Sequence, residues 1–144
     1  MKKVLFLLFL CSHTVLMAQN WQTNFEEAKV IAQKENKNIL LVFSGSDWCA
    51  PCMKLEKNIW MSPEFQTEAQ NSWIIYKADF PKKKANQLSP ERTEQNKKLA
   101  EKYNKEGSFP LVVLLDPSGK VLGMFGFKNS SPSAYIALIH SAEK

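Results

Sequence analysis

The residues best suited to chemistry are two cysteines separated by two positions, Cys49 and Cys52, with Trp48 immediately before the first. Two thiols at this spacing can exchange electrons with a disulfide. One thiolate attacks a sulfur atom, a mixed disulfide forms, and the second thiol resolves it. A static bridge closing so small a loop would restrict the unfolded chain by only about 2 kcal/mol. The pair therefore predicts a redox couple rather than a structural crosslink.

These cysteines lie at a predicted junction between a strand and a helix. Residues 39–43 form a continuous apolar run, typical of a strand buried on both faces, and residues 53–60 contain neither glycine nor proline, as a helix would. Because unpaired N–H groups and the helix dipole favour a thiolate at a helix start, Cys49 is the predicted nucleophile. Cys52 lies one turn further in, so we expect it to be more buried and to resolve the mixed disulfide. Pro51 suits the first helical turn.

Helical spacing places Glu56, four positions after Cys52, near the face that carries both cysteines. Resolution requires Cys52 to lose a proton, and a carboxylate on the same face is a candidate acceptor. The alternative is an ordinary surface residue paired with Lys54 or Lys57. Two further residues are secondary candidates for tuning the charge of the site, although the second is expected to be structural: Asp47 and Lys77.

The cysteine and histidine counts argue against a metal site. If residues 1–18 are a cleaved leader, the remaining chain holds Cys49, Cys52 and a single histidine, His140. A structural zinc site needs four ligands. A copper site usually recruits histidine or methionine beside the thiols, and Met53 is predicted to face away from Cys49. We expect no metal and no cofactor. A non-catalytic binding or metal-carrier module remains the alternative to an oxidoreductase.

Residues 1–18 predict a signal peptide. Two lysines precede a short apolar run over residues 4–11, and Ala18 offers a small residue for cleavage. The alternatives are an uncleaved anchor or a buried first strand, but the run is too short to span a bilayer. Export predicts a periplasmic or secreted protein with no stable membrane insertion after cleavage. Loss of Lys2 and Lys3 lowers the formal net charge from +5 to +3, which gives no case for nucleic acid binding.

The remainder, residues 19–144, is long enough for one domain with its own core. Local patterns predict these elements: a helix after a capping box headed by Thr23, helices opened by Ser-Pro pairs at 62–63, 89–90 and 131–132, strands at 73–78 and 111–115, and a hairpin partner at 120–127. The order is helix, strand, helix, helix, strand, helix, strand, strand, helix. This order predicts an α/β fold with a central mixed sheet and helices on both faces.

The sequence Trp-Cys-Ala-Pro-Cys at residues 48–52, within this order of elements, resembles the active-site motif of the thioredoxin fold. A second match supports the resemblance. Gly-Ser-Phe-Pro at residues 107–110 precedes the strand predicted at 111–115, where thioredoxin-like proteins carry a cis-proline. The resemblance spans residues 20–143. In detail the chain is similar to the C-terminal periplasmic domain of the transmembrane reductase DsbD and to related exported proteins.

The resemblance implies a thiol–disulfide oxidoreductase that acts on disulfide-containing protein substrates and exchanges electrons with a redox partner protein. It implies catalytic roles for Cys49, Cys52 and Pro110, with Trp48 and Phe109 contacting the substrate. A cis-Pro110 would leave the flanking backbone free to pair with an extended substrate segment. The Ala-Pro interior, without histidine, favours a reductant or electron relay over a strong oxidant. We expect a monomer.

Three features depart from that pattern. Phe43 occupies the position, six residues before the first cysteine, where thioredoxins carry a buried aspartate, so Glu56 becomes the candidate proton acceptor. The motif interior is Ala-Pro rather than the Gly-Pro of thioredoxin. Residues 81–90 form a longer segment than a minimal thioredoxin needs, with lysines at 82–84. That lysine run could dock an acidic partner, but solvated surface is the commoner explanation and is favoured.

Overall fold

The structure is a computed structural model that describes residues 20–143. The signal peptide predicted for residues 1–18 lies outside the described residues. The predicted order of elements is confirmed. The helices are α1 (Phe25–Glu35), α2 (Ala50–Leu55), α3 (Pro63–Ser72), α4 (Pro90–Tyr103) and α5 (Pro132–His140), and the strands are β1 (Asn38–Ser44), β2 (Trp73–Asp79), β3 (Leu111–Leu115) and β4 (Val121–Phe125). A π-helical segment (Glu56–Trp60) continues α2, and a 3-10 turn (Lys84–Asn86) precedes α4.

The strands form one mixed sheet in the order β2-β1-β3-β4. β1 runs parallel to β2 and antiparallel to β3, and β3 forms the predicted hairpin with β4. Ser44 at the end of β1 pairs with Asp79, and Phe43 pairs with Leu111 at the start of β3. Three chain segments therefore meet at one edge of the sheet: the cysteine motif, the loop after β2 and the residues before β3.

Helices cover both faces of the sheet, as the strand pattern of β1 requires. Phe43 and alternate residues of β1 pack toward α1 and α4, whereas Leu40 and Val42 pack toward α2, α3 and α5. Burial of such side chains stabilises the fold by about 1.5–3 kcal/mol each. The predicted α/β class, with a central mixed sheet between helical layers, is confirmed.

One predicted helix cap is wrong. Thr23 does not cap α1, because Asn24 Oδ1 accepts the backbone N–H groups of Glu26 and Glu27. Asparagine and threonine both accept such bonds, so the four-residue capping pattern alone did not determine which residue caps the helix. The three Ser-Pro predictions are confirmed: the hydroxyls of Ser62, Ser89 and Ser131 accept the N–H groups that open α3, α4 and α5.

The helix predicted to follow the cysteines changes type midway. After α2, the chain forms a wider π-helical turn in which the N–H of Met61 bonds to the carbonyl of Glu56. This segment brings Ile59 and Trp60 fully into the core. π-turns are rare and are often found beside functional sites. No helix within residues 20–143 has the length and apolar character needed to cross a membrane.

Candidate active site

Cys49 and Cys52 form a disulfide at the start of α2, five residues after β1 ends, with their Cα atoms 5.2 Å apart. The predicted strand-to-helix junction is confirmed. Cys49 is the N-cap residue of α2, and its Sγ accepts the backbone N–H of Cys52 at 3.3 Å. The N–H of Cys49 bonds to the carbonyl of Gly45 at 2.9 Å, which fixes the loop between strand and helix. A sulfur in this position can accept negative charge during disulfide exchange.

Both cysteines are buried in this oxidised form. The exposed fraction is 5% for Cys49 and 3% for Cys52. These fractions are too close to distinguish an accessible from an inaccessible sulfur, so the expected contrast between the two residues is not visible here. The asymmetry lies instead in the hydrogen bond, since Cys49 offers its sulfur to the helix start and Cys52 supplies the donor.

Trp48 forms the exposed side of the motif and is 38% accessible. Its indole Nε1 donates to the carbonyl of Phe80 at 2.7 Å, and its ring lies 5.4 Å from the ring of Phe109. A Cβ atom on Gly45 would lie 2.3 Å from the Trp48 ring, so only glycine permits this close approach. The structure thus brings together Trp48 and Phe109, the two residues predicted to contact substrate.

Pro110 is buried at the same edge of the sheet, one residue before β3. The peptide bond between Phe109 and Pro110 is cis, as the resemblance implied. Asn104 holds the preceding turn, because its side chain accepts the N–H of Ser108 and donates to the carbonyl of the same residue, both at 2.9 Å. Since Leu111 pairs with Phe43, this turn lies beside the end of β1, from which the cysteine loop departs.

Glu56 pairs with Lys77 of β2, at an oxygen-to-nitrogen distance of 2.5 Å. The alternative pairing with Lys54 or Lys57 is therefore wrong. The Lys77 ammonium also lies 4.5 Å from the ring centroid of Trp21. The backbone N–H of Glu56 bonds to the carbonyl of Cys52, which confirms that Glu56 lies one turn beyond that cysteine. The sequence predicted only a secondary role for Lys77 in tuning the charge of the site. Its pairing with Glu56 joins a helix to a strand 21 residues away, and such a contact leaves no pattern in the neighbouring sequence.

Phe43 is fully buried between Ala78 and Leu111 in the sheet, so no carboxylate occupies the position of the thioredoxin aspartate. Among the buried side chains of residues 20–143, the polar ones are Ser44, Asn96 and Asn104. Within that range, no buried acidic side chain is available to accept the proton of Cys52. Glu56, half-exposed and ion-paired, remains on the helix that carries the cysteines.

Asp47 has a different role from the charge tuning considered from sequence. Its carboxylate accepts the backbone N–H groups of Lys82 and Lys83 and the side-chain amide of Asn86, each at 2.9 Å. The bonds from the Lys82 backbone and the Asn86 side chain hold the pKa of Asp47 below its usual value. Asp47 thus fastens the loop after β2 to the cysteine motif.

Two contacts at this edge were missed by sequence reasoning. The Asp79 carboxylate accepts the N–H and hydroxyl of Ser46, at 2.9 and 2.5 Å, and the Phe80 carbonyl accepts the Trp48 indole. The available signal was the parallel pair of strands, because residues that follow two adjacent parallel strands meet at the same edge. No group of three or more histidine, cysteine or acidic side chains that could hold a metal ion occurs within residues 20–143.

Comparison with known proteins agrees with this geometry. Residues 20–117 match the family model described as thioredoxin-like. The disulfide bond reductase DsbH of Chlamydia pneumoniae is 35% identical over 124 residues, covering 86% of this chain and 72% of that protein. A solved structure of a DsbH oxidoreductase superposes with a TM-score of 0.79 at 34% identity, covering 85% of this chain and 83% of the other.

The DsbD C-terminal domain of Neisseria meningitidis, in its oxidised form, shares the fold with a TM-score of 0.57. It is 20% identical, and the match covers 85% of this chain and 99% of that domain. The similarity anticipated from the motif is therefore seen in three dimensions. The matched residues include the whole Cys49–Cys52 motif. The chain belongs to the thioredoxin-like family and is a thiol–disulfide oxidoreductase of the Dsb type.

Proposed function

We propose that this protein is an exported protein-disulfide reductase, or an electron relay to the disulfides of other proteins. The observation that carries the proposal is the Cys49–Cys52 pair at the start of α2, with the Cys49 sulfur accepting a helical N–H. The relative from Chlamydia pneumoniae is named a disulfide bond reductase, which supports the reducing direction. The motif interior, Ala50-Pro51, contains no histidine that would stabilise the reduced thiolate and so make the disulfide strongly oxidising.

The proposed reaction begins with the reduced dithiol. The Cys49 thiolate attacks one sulfur of the substrate disulfide, a Cys49–substrate disulfide forms, and the other substrate sulfur leaves as a thiolate that takes up a proton. Cys52 then loses its proton and attacks Cys49. The substrate leaves as a dithiol, and the Cys49–Cys52 disulfide seen here is the product. Two electrons pass to the substrate, and a dithiol redox partner protein must return them.

We assign the surrounding residues roles in that reaction. Glu56 accepts the proton of Cys52, because the thioredoxin position for a buried acid is taken by Phe43. Trp48 and Phe109 contact the substrate, and Pro110 presents a platform beside the motif, since all three lie at the edge where β1 ends and β3 begins. No cofactor is part of the proposed reaction.

We further propose that the protein is exported. Residues 1–18 act as a signal peptide and residues 19–144 form the mature domain, which works as a monomer in the periplasm or outside the cell. The support is the charged and apolar pattern of residues 1–18.

Insulin reduction with dithiothreitol as the electron source tests the proposed activity. Wild-type protein should accelerate precipitation of the reduced insulin chains, and Cys49→Ser should lower the rate to that of dithiothreitol alone, because the attacking sulfur is lost. Cys52→Ala, reduced beforehand and then freed of dithiothreitol, should instead accumulate a mixed disulfide with insulin, which non-reducing gels would reveal. Wild-type activity no greater than that of free dithiothreitol would reject the reductase and favour a non-catalytic binding module.

A further inference from the structure

A cavity of about 340 Å³ adjoins the candidate active site on the side of Trp48. It lies between the cysteine loop and residues 80–88, the segment that is longer than the fold requires. Its apolar lining consists of Trp48, Phe80, Pro81, Leu88 and Phe109. Because Trp48 belongs to both the motif and the cavity wall, the cavity is continuous with the surface that a substrate disulfide would approach.

Ring–ring contacts and a hydrogen bond fix the aromatic wall of the cavity. The Phe109 ring packs edge-on against Trp48 at 5.4 Å and against Phe80 at 5.5 Å. The indole of Trp48 is further held by its hydrogen bond to the Phe80 carbonyl. A preformed apolar recess of this kind can receive a large side chain without first ordering its own walls.

The rim of the cavity is basic. Lys82 lines the cavity, and Lys83 and Lys84 follow it in the chain. All three are exposed, and the Lys82 ammonium lies 4.1 Å from the ring centroid of Trp48. Two carboxylates lie in the same region and hydrogen-bond to neutral donors: Asp47 accepts loop N–H groups, and Asp79, which also lines the cavity, accepts from Ser46. None of the three lysines forms an ion pair with another residue in the range 20–143. Three exposed lysines therefore lie on one side of an apolar recess beside the cysteine motif.

We propose that this cavity and its lysine rim form a docking subsite for the client segment next to the reactive disulfide. The segment carries a large apolar side chain, which enters the cavity, and flanking acidic residues, which meet the lysines. The inference rests on the proposed function and adds the substrate class to it. The inference also assigns a role to residues 80–88, which would form one wall of the subsite. Asp47 fixes this loop beside the cysteine motif through its hydrogen bonds to Lys82, Lys83 and Asn86.

A set of short disulfide peptides tests the preference directly. The peptides share one length and one mixed disulfide with glutathione, and they differ in the residue before the cysteine (phenylalanine or serine) and in flanking charge (acidic or basic). We expect the acidic phenylalanine peptide to be reduced about tenfold faster, as kcat/KM, than its basic counterpart at low ionic strength. The preference should shrink as salt screens the lysines.

Two pairs of variants separate the charge and the apolar contributions. Lys83→Glu with Lys84→Glu should abolish or reverse the preference for the acidic peptide. Lys34→Glu with Lys120→Glu makes the same change in net charge at the opposite end of the sheet and should leave the preference unchanged. Leu88→Ser should remove the preference for phenylalanine over serine, whereas Val30→Ser, an exposed apolar site on α1, should not.

The outcomes distinguish this inference from the proposed function. Equal reduction of all peptides by an active wild-type enzyme would overturn the docking subsite and leave the reductase intact. Failure to reduce either the peptides or insulin would reject both. Binding of a fluorescent acidic peptide with serine in place of cysteine, measured by anisotropy, needs no turnover; binding that ignores both peptide charge and Lys83→Glu/Lys84→Glu would also overturn the subsite.

Discussion

At the scale of single residues, the notable feature is an apolar side chain where thioredoxins carry a buried acid. Phe43 fills that interior position with an aromatic ring, and the proposed proton acceptor, Glu56, lies at the start of the π-helical segment. Glu56 is half-exposed and pairs with Lys77. A proton acceptor in this position avoids the large cost of burying an isolated carboxylate, because both water and an ammonium group compensate its charge.

We predict that Glu56→Gln slows the second step of disulfide exchange. The amide has nearly the shape of the carboxylate but cannot accept a proton, so attack by Cys52 on a preformed Cys49 mixed disulfide should slow by roughly tenfold to a hundredfold near neutral pH. Stopped-flow release of a chromogenic thiol measures this step. The defect should diminish at alkaline pH, where hydroxide removes the proton, a dependence that a purely structural role would not produce.

Glu94→Gln is the matched control for this experiment. Glu94 is also a helical glutamate paired with a lysine, Lys98, but it lies on α4. Its substitution should leave the resolving rate unchanged. An unaltered rate in Glu56→Gln, or an equal loss in both variants, would remove Glu56 from the mechanism.

At the scale of elements, the site is assembled where three connections meet at one edge of the sheet. β1 delivers the cysteine loop, β2 delivers residues 80–88, and β3 begins directly after Pro110. Asp47 links the first two connections through three hydrogen bonds. The long loop therefore borders the cysteine motif, and its lysines at 82–84 are exposed, as predicted for a solvated segment.

We predict that Asp47→Ala releases this loop without unfolding the domain. Amide hydrogen exchange at Lys82 and Lys83 should accelerate about three- to tenfold, the effect expected when a hydrogen bond is lost. The pKa of Asp47 is lowered by these bonds, so the anchor persists at neutral pH and is lost only as the pH falls through that lowered value. Exchange mass spectrometry or NMR at neutral pH provides the measurement.

Asp116→Ala serves as the comparison for Asp47→Ala. Asp116 holds the turn between β3 and β4 through the N–H groups of Ser118 and Lys120, at the far end of the sheet. It should accelerate exchange in that turn and leave residues 80–88 protected. Protection of Lys82 and Lys83 that survives Asp47→Ala would show that other contacts hold the loop.

The elements themselves were largely predictable from sequence, and their mutual contacts were not. Ser-Pro caps, the apolar runs of β1 and β3 and the cysteine position depend on neighbours along the chain. The contacts of Glu56 with Lys77 and of Asp47 with Asn86 join residues 21 and 39 positions apart. Such pairs depend on strand register and helix placement, which periodicity does not specify.

At the scale of the whole molecule, a polar cluster links α3, α5 and β2 on the face of the sheet opposite Phe43. His140 at the end of α5 bonds to Glu143 at 2.7 Å and to Glu68 of α3 at 3.0 Å. Glu143 also accepts the indole N–H of Trp73 at the start of β2. The C-terminal helix is thereby fastened to both its neighbouring helix and the sheet.

We predict that this cluster makes stability depend on pH. Partial burial lowers the pKa of His140, but hydrogen bonds and charge from Glu143 and Glu68 raise it more, so the pKa lies above its usual value. His140 therefore contributes fully to the free energy of unfolding below about pH 6.5, and this contribution is lost as the pH rises through the raised pKa. The free energy of unfolding, measured with urea, should fall by less than about 1 kcal/mol between mildly acidic and alkaline pH, because these groups are partly exposed.

His140→Gln should flatten this part of the pH profile. The pKa of Glu143 is raised by partial burial but lowered more by bonds from His140 and Trp73, so its contribution is lost only in acid, as the pH falls through the lowered value. The two dependences can thus be separated by pH range. Identical profiles for wild type and His140→Gln above pH 6.5 would contradict the assignment to this histidine.

The burial of both sulfurs limits how other molecules reach the redox pair. Disulfide exchange requires the attacking thiolate to reach a sulfur in line, and Cys49 and Cys52 expose 5% and 3% of their surfaces. The shape of the surface around this small exposed area therefore limits which molecules can react with the pair. A folded protein can place its own sulfur against Cys49 only on a segment that protrudes, whereas a small reductant such as dithiothreitol needs no such segment.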